Sequence, residues 1–164
     1  MTGKRVKIAG QTSETSEFWA LPSGAIEAEV HAGPVRMPDG AGGWSDVDVT
    51  LRRASDGSVA PIAHPYGLRL SGASTADETE LVSLGTDGER SVLGWLGHLP
   101  QPVLEGTKGM YPEARPGVDL VVSATRTGYE RGGGLAGASL LEGTASTDGR
   151  FVCAPAAVGN GISS

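Results

Sequence analysis

From Ile26 to Ala32 the chain alternates without a break: Ile26, Ala28, Val30 and Ala32 are apolar, and Glu27, Glu29 and His31 are polar. A period of two matches a strand, in which successive side chains point to opposite faces, and predicts one covered face. Asp46 to Arg53 alternates the same way, with Val47, Val49 and Leu51 facing in and Asp48, Thr50 and Arg52 facing out. Trp44 falls on the outward parity of that stretch, which places it before the regular pairing or across a bulge. No comparable stretch shows helical periodicity.

The same alternation, or a short apolar run, predicts strands at Ser58–Ala63, Gly67–Leu70, Leu81–Leu84, Val92–Leu96 and Val118–Ala124. Asp39-Gly40, Asp56-Gly57 and Asp87-Gly88 each separate two such stretches, and Asp-Gly supplies the positive φ of tight hairpin turns. The clearest hairpin runs from Leu81–Leu84 through Thr86-Asp87-Gly88-Glu89 into Val92–Leu96. Pro100, Pro102, Pro112 and Pro116 are read as ending strands. These features predict an all-β fold, an antiparallel β-sandwich or open barrel-like sheet, with no long helix.

The 164 residues hold 26 glycines and only 5% aromatics, a composition suited to many turns around a modest core. The formal charge of −6 is spread along the chain, and no lysine/arginine cluster suggests nucleic acid as a partner. Arginine, at ten against three lysines, and a lone Asn160 suggest a GC-rich genome. One cysteine, Cys153, excludes an internal disulfide and any multi-cysteine zinc site. Lys4, Arg5 and Lys7 have no apolar run behind them, so Met1–Gly10 does not read as a signal peptide, and no run approaches a membrane span.

Composition changes after Glu130. Residues 131–164 carry eight glycines and two charges of each sign, so the first 130 residues hold the whole net charge. This divides the chain into a β-rich module over residues 4–130 and a glycine-, alanine- and serine-rich tail over 131–164, expected to be poorly ordered.

Four groups of residues invite a functional reading. Gly132-Gly133-Gly134-Leu135-Ala136-Gly137 matches the dinucleotide fingerprint in letters, but it neither follows a strand directly nor leaves room for a second βαβ half. Asp46 and Asp48, with Glu27 and Glu29 on an adjacent strand, would make a carboxylate cluster; a solvated sheet face accounts for them better. His31, His64 and His98 lack metal-ligand spacing, and no nucleophile elbow accompanies them. Trp19, Trp44, Trp95, Tyr66 and Tyr111 would serve a sugar platform, although so aromatic-poor a chain needs them in its core. No residue is therefore assigned a catalytic, cofactor-binding or metal-binding role, and no cofactor is implied.

Gly43-Trp44, Val47-Asp48-Val49-Thr50-Leu51, Leu93-Gly94-Trp95, Leu99-Pro100, Tyr111-Pro112-Glu113 and Pro116-Gly117-Val118-Asp119-Leu120 occur in that order. As a set, over residues 5–130, they resemble the N-terminal β-rich region of large secreted actinobacterial proteins with DNRLRE, LamG-like or RHS/YD-repeat modules. The resemblance implies a non-enzymatic structural, adhesion or spacer module, extracellular or cell-wall associated. Its partners would be neighbouring modules of a larger polypeptide or a cell-wall or surface glycan. It also implies an apolar strand after Tyr129-Glu130, where this chain has Arg131-Gly132-Gly133-Gly134. Val118–Ala124 is accordingly expected to be an open sheet edge, and a truncated gene or frame change near residue 130 would explain the shift. The alternatives are a carbohydrate-binding module, which calls for two exposed coplanar aromatics, and a remnant of a secreted hydrolase or polymorphic toxin with its active domain elsewhere.

Overall fold

The strands follow one another as β1 (Val6–Lys7), β2 (Ser16–Ala20), β3 (Ile26–Val30), β4 (Arg36–Pro38), β5 (Trp44–Asp46), β6 (Asp48–Arg53), β7 (Val59–Ala63) and β8 (Arg69–Leu70). Then come β9 (Glu78–Thr86), β10 (Glu89–Leu96), β11 (Val103–Glu105), β12 (Lys108–Arg115), β13 (Val118–Thr125), β14 (Gly128–Gly134), β15 (Leu141–Ala145) and β16 (Arg150–Pro155). This computed structural model describes residues 3–86, 89–134, 141–145 and 150–155. Apart from one 3-10 turn at Ala9–Gln11, the regular structure among them is strand.

Two sheets make a sandwich. One has seven strands in the order β15-β16-β10-β9-β8-β7-β6, the other four in the order β11-β12-β13-β14. Leu51, Val59, Leu70, Leu81, Val82, Leu93 and Trp95 from the first meet Tyr111, Ala114, Leu120, Val122 and Ala124 from the second, with Leu68 and Leu99 from connections. On β13 every second residue, Leu120, Val122 and Ala124, is buried, as the alternation predicts. Gly109 of β12 fits where the sheets come close: a Cβ there would lie 3.4 Å from Leu70 and 3.6 Å from Leu51.

Polar bonds tie the layers at their margins. The Tyr111 hydroxyl donates to the Ser71 carbonyl at 2.7 Å, and the Leu51 amide donates to the Gly106 carbonyl at 2.8 Å. At the other end, the Arg115 guanidinium binds the Leu96 carbonyl and lies 5.1 Å from the centre of the Trp95 ring.

The Asp-Gly turns behave as read where they are described. Asp39 Oδ1 accepts from the amides of Ala41 and Gly43, both at 2.8 Å, and closes the β4–β5 hairpin with Gly40 at φ +78°. Asp56 Oδ1 accepts from Ser58 N at 3.0 Å in the β6–β7 hairpin, with Gly57 at φ +84°. The β9–β10 hairpin pairs Thr86 with Glu89; its Asp87-Gly88 tip lies outside the described residues.

Four expectations need correction. Trp44 precedes the regular pairing, but it does so on a strand of its own, β5, paired with β4 and not continuous with β6. Pro112 does not end a strand. It sits inside β12 at an irregularity in register between Tyr111 and Arg115, where no ladder amide is required of it. Val118–Ala124 is not an open edge: Gly128–Gly134 pairs with it residue by residue, from Thr125↔Gly128 to Asp119↔Gly134. Backbone groups alone make a ladder, so Gly132–Gly134 extend the strand without apolar side chains. The strand part of the chain therefore runs past residue 130, and residues 141–145 and 150–155 also form strands, β16 lying parallel to β10. The rest of the expected tail lies outside the described residues.

The fourth correction concerns β3. The strand forms as predicted, yet all five of its residues are exposed. In the sheet β1-β2-β3, Val6, Ala20 and Ile26 share one row, and Lys7, Trp19 and Glu27 share the next. Neither face of β3 is covered: Glu27 and Glu29 are exposed along with Ile26, Ala28 and Val30, and on the charged face of this sheet Glu17 of β2 is the buried residue. Glu17 and Arg36 are 9% and 8% exposed and ion-paired, whereas Val6, Ile26 and Val30 are 63% to 73% exposed. Period two dictates that the faces differ, and not which one is covered.

Candidate functional site

The carboxylates and histidines singled out in the sequence do not converge. Asp46 stands on β5 and Asp48 on β6, while β3, with Glu27 and Glu29, pairs only with β2. Asp48 Oδ1 accepts from Thr50 N at 3.0 Å, and hydrogen bonding from the Thr50 side chain, then from its amide, holds the Asp48 carboxyl below its ordinary value. Glu27 faces Arg5 at 3.1 Å, and Glu29 lies 3.5 Å from His31. Glu17 is the most enclosed carboxylate. Its hydrogen bond from Lys7, aided by the Arg36 charge, outweighs desolvation and keeps its pKa low. Among the described residues no cluster of three or more His, Cys, Asp or Glu is arranged to hold a metal.

Gly132–Gly134 of the formal dinucleotide fingerprint belong to β14; Leu135–Gly137 lie outside the described residues. Trp95 and Tyr111 are core, at 1% and 0% exposed, as an aromatic-poor chain requires. Trp19 is half-buried beneath Arg5, whose guanidinium lies 4.3 Å from the ring centre. Trp44 and Tyr66 are exposed, on separate hairpins.

One concave surface gathers functional groups, and it is built around Tyr66. The chain leaves β7 at Ala63 and places His64 in the gap between the sheets, 8% exposed. His64 Nδ1 accepts from the Tyr66 amide at 3.2 Å, so the proton sits on Nε2, which lies 2.8 Å from the Thr125 carbonyl. Both ring nitrogens are thus fixed by backbone. Burial pushes the His64 pKa below its ordinary 6.5, against the opposite pull of its bonds to Thr125 and Gly128. The imidazole then positions the Tyr66 ring edge-on, 6.0 Å away at 70°. The Tyr66 carbonyl accepts from Gly85 N at 2.7 Å, which ties this corner to β9.

Beside Tyr66 lies a depression of about 460 Å³, lined with it by Leu84, Gly85, Glu89, Arg90 and Ser91. The β9–β10 register puts Arg90 opposite Gly85 and Ser91 opposite Leu84. Arg90 forks onto Glu80, with nitrogen–oxygen distances of 2.6 and 3.4 Å. An exposed tyrosine in edge contact with a buried histidine thus borders the depression; along β10 Glu89 and Ser91 share the parity of Leu93 and Trp95, and Arg90 has the opposite one. The sequence offers Tyr66 and His64 as candidates and Glu89 only as a turn residue; Arg90 and Ser91 come from the same second hairpin and carry no motif.

No helix among the described residues is long and apolar enough to cross a membrane. No protein-family model, curated protein or solved structure matches this chain.

Proposed function

We propose that the chain is a non-catalytic module that acts as a spacer, scaffold or adhesion surface in a larger secreted protein. The observation that carries this reading is where the reactive side chains go. His64 uses both ring nitrogens on backbone, Asp119 accepts from Glu113 N at 2.8 Å, and Tyr111 and Arg115 bind carbonyls of the facing sheet. Groups a reaction would require free are here spent within the fold, Asp119 bracing β12 against β13 and His64, Tyr111 and Arg115 bonding between the layers. The ordered motifs from Gly43-Trp44 to Val118-Asp119-Leu120 supply the extracellular context by resemblance, and neighbouring modules are the partners it implies.

The test is location. Antibodies raised against the folded chain are applied to intact cells of the source organism, with and without protease shaving, and to the cytosolic fraction. Signal on intact cells that shaving removes is the expected result; signal confined to the cytosol would refute the reading.

A further inference from the structure

We infer that the outer edge of β3 takes up an extended segment of a partner polypeptide in which apolar residues alternate with lysine or arginine. This interaction surface goes beyond the module reading and does not depend on it. Among the described residues eight large apolar side chains stand exposed, and Val6, Ile26 and Val30 are three of them. All three lie on one face of the β1-β2-β3 sheet, with Ala28 exposed and Phe18 half-buried beside them. A contiguous apolar row left in water marks a surface that meets another molecule.

The ladder sets how a strand would join. The Leu21 amide donates to the Ala25 carbonyl and the His31 amide to the Thr15 carbonyl, both at 2.8 Å. Glu27 and Glu29, in step with Ala25 and His31, therefore turn their backbone groups toward β2. Those of Ile26, Ala28 and Val30 point off the sheet, where β3 has no neighbouring strand among the described residues. An added antiparallel strand would exchange amide–carbonyl bonds with these three residues. Its side chains opposite them extend the row of Ile26, Ala28 and Val30, so apolar residues fit there. Its other side chains stand opposite Glu27 and Glu29, at the positions where facing Cα atoms come within about 4.5 Å.

Charge selects the residues at those positions. Glu27 lies 3.1 Å from Arg5, and Glu29 lies 3.5 Å from His31, which is a cation only when protonated. Both acids are exposed, and ion pairs at the solvent hold their partners weakly. A lysine or arginine directly opposite gains from both carboxylates, whereas an acidic segment meets two like charges. Main-chain bonds then supply affinity and the alternation supplies specificity, as in other cases of strand addition.

The full chain is titrated into short fluorescent peptides and binding is followed by anisotropy. The reference peptide alternates valine with lysine. Replacing its lysines by glutamate, or gathering them at one end, should weaken binding by at least about tenfold. N-methylation of the valines, whose amides face β3, should abolish binding; N-methylation of the lysines, whose amides face away, should leave it unchanged. Glu27→Lys combined with Glu29→Lys should turn the preference toward the glutamate peptide. Ala28→Pro removes an outward amide without touching the β2–β3 ladder and should lose the reference peptide. Melting curves check that both variants fold, and the two N-methylated peptides test the unaltered chain in any case. No binding of the reference peptide, equal binding of the two N-methylated peptides, or an unchanged preference in the doubly substituted chain would each overturn the proposal. Sedimentation showing copies of the chain paired through this edge, and separated by Ala28→Pro, would overturn it too. None of these outcomes turns on where the protein resides in the cell.

Discussion

The carboxylate of Asp119 accepts a 2.8 Å hydrogen bond from the amide of Glu113, a residue held at φ +48°. Glu113 is the described non-glycine residue in the left-handed region, where a Cβ costs about 1–2 kcal/mol. It lies in the irregular stretch between Tyr111 and Arg115, and Asp119 satisfies the amide that the broken ladder leaves over. Pro116 and Gly117 close the two strands in a two-residue turn, Gly117 at φ +72°, the type II pattern. Tyr111-Pro112-Glu113 and Pro116-Gly117-Val118-Asp119-Leu120 are thus two halves of one braced bulge.

Asp119→Ala should therefore lower stability by about 1 kcal/mol, the scale of one hydrogen bond. Asp119→Asn, which keeps an acceptor oxygen, should lose less. Glu113→Gly should be neutral or stabilising, because it removes the left-handed penalty. Urea midpoints of the three variants, at constant slope, check the order.

Trp95 is 1% exposed, donates its indole N–H to the His98 carbonyl at 3.3 Å and lies beneath the Arg115 guanidinium. Trp95→Ala should cost about 3–5 kcal/mol, the range for a fully buried large aromatic. A loss under about 1 kcal/mol, the level of surface changes, would place the ring outside the core.

His64 makes stability depend on pH in a set direction. Its folded pKa lies below 6.5, while the unfolded chain keeps the ordinary value. Above 6.5 both states are neutral and the contribution is complete. As pH falls through 6.5 the unfolded chain binds the proton first, so stability drops until the lower folded pKa is reached. Protonation also removes the Nδ1 acceptor from Tyr66 N. His64→Gln should be less stable at pH 7.5 and should lose less than wild type between pH 7 and 5, read from unfolding midpoints across that range.

Gly85 carries the β9–β10 hairpin at φ +117°, and a Cβ there would run into the Glu89 carbonyl. Gly85→Ala should cost at least about 2 kcal/mol, combining backbone strain with a steric clash. Thermal melts decide this, and a melting temperature equal to wild type would show that the hairpin can shift to accommodate the methyl.

The sequence shows the strands best where side chains alternate over a covered face, as at Leu51, in the core, and Val49, half-buried against it. It shows them poorly where another strand supplies the reason to be extended. Gly132–Gly134 carry no pattern, and their conformation comes from pairing with Asp119 to Val121. Pro112 hides β12 because a bulge relieves the missing amide donor. The site is half legible for the same reason. Tyr66 and His64 are near neighbours in the chain, but their ring contact and the approach of Arg90 depend on two hairpins meeting.

β3 is an edge strand among the described residues, and the backbone groups of its alternate residues that point away from β2 are open to any chain that arrives extended. If a second copy added there antiparallel about Ala28, Ile26 would meet Val30, and Glu27 would stand opposite Glu29 in both directions. Two pairs of like charges would then face each other across the new ladder, an arrangement that opposes pairing. The acidic residues on this strand would thus oppose edge-to-edge growth of the protein into fibres.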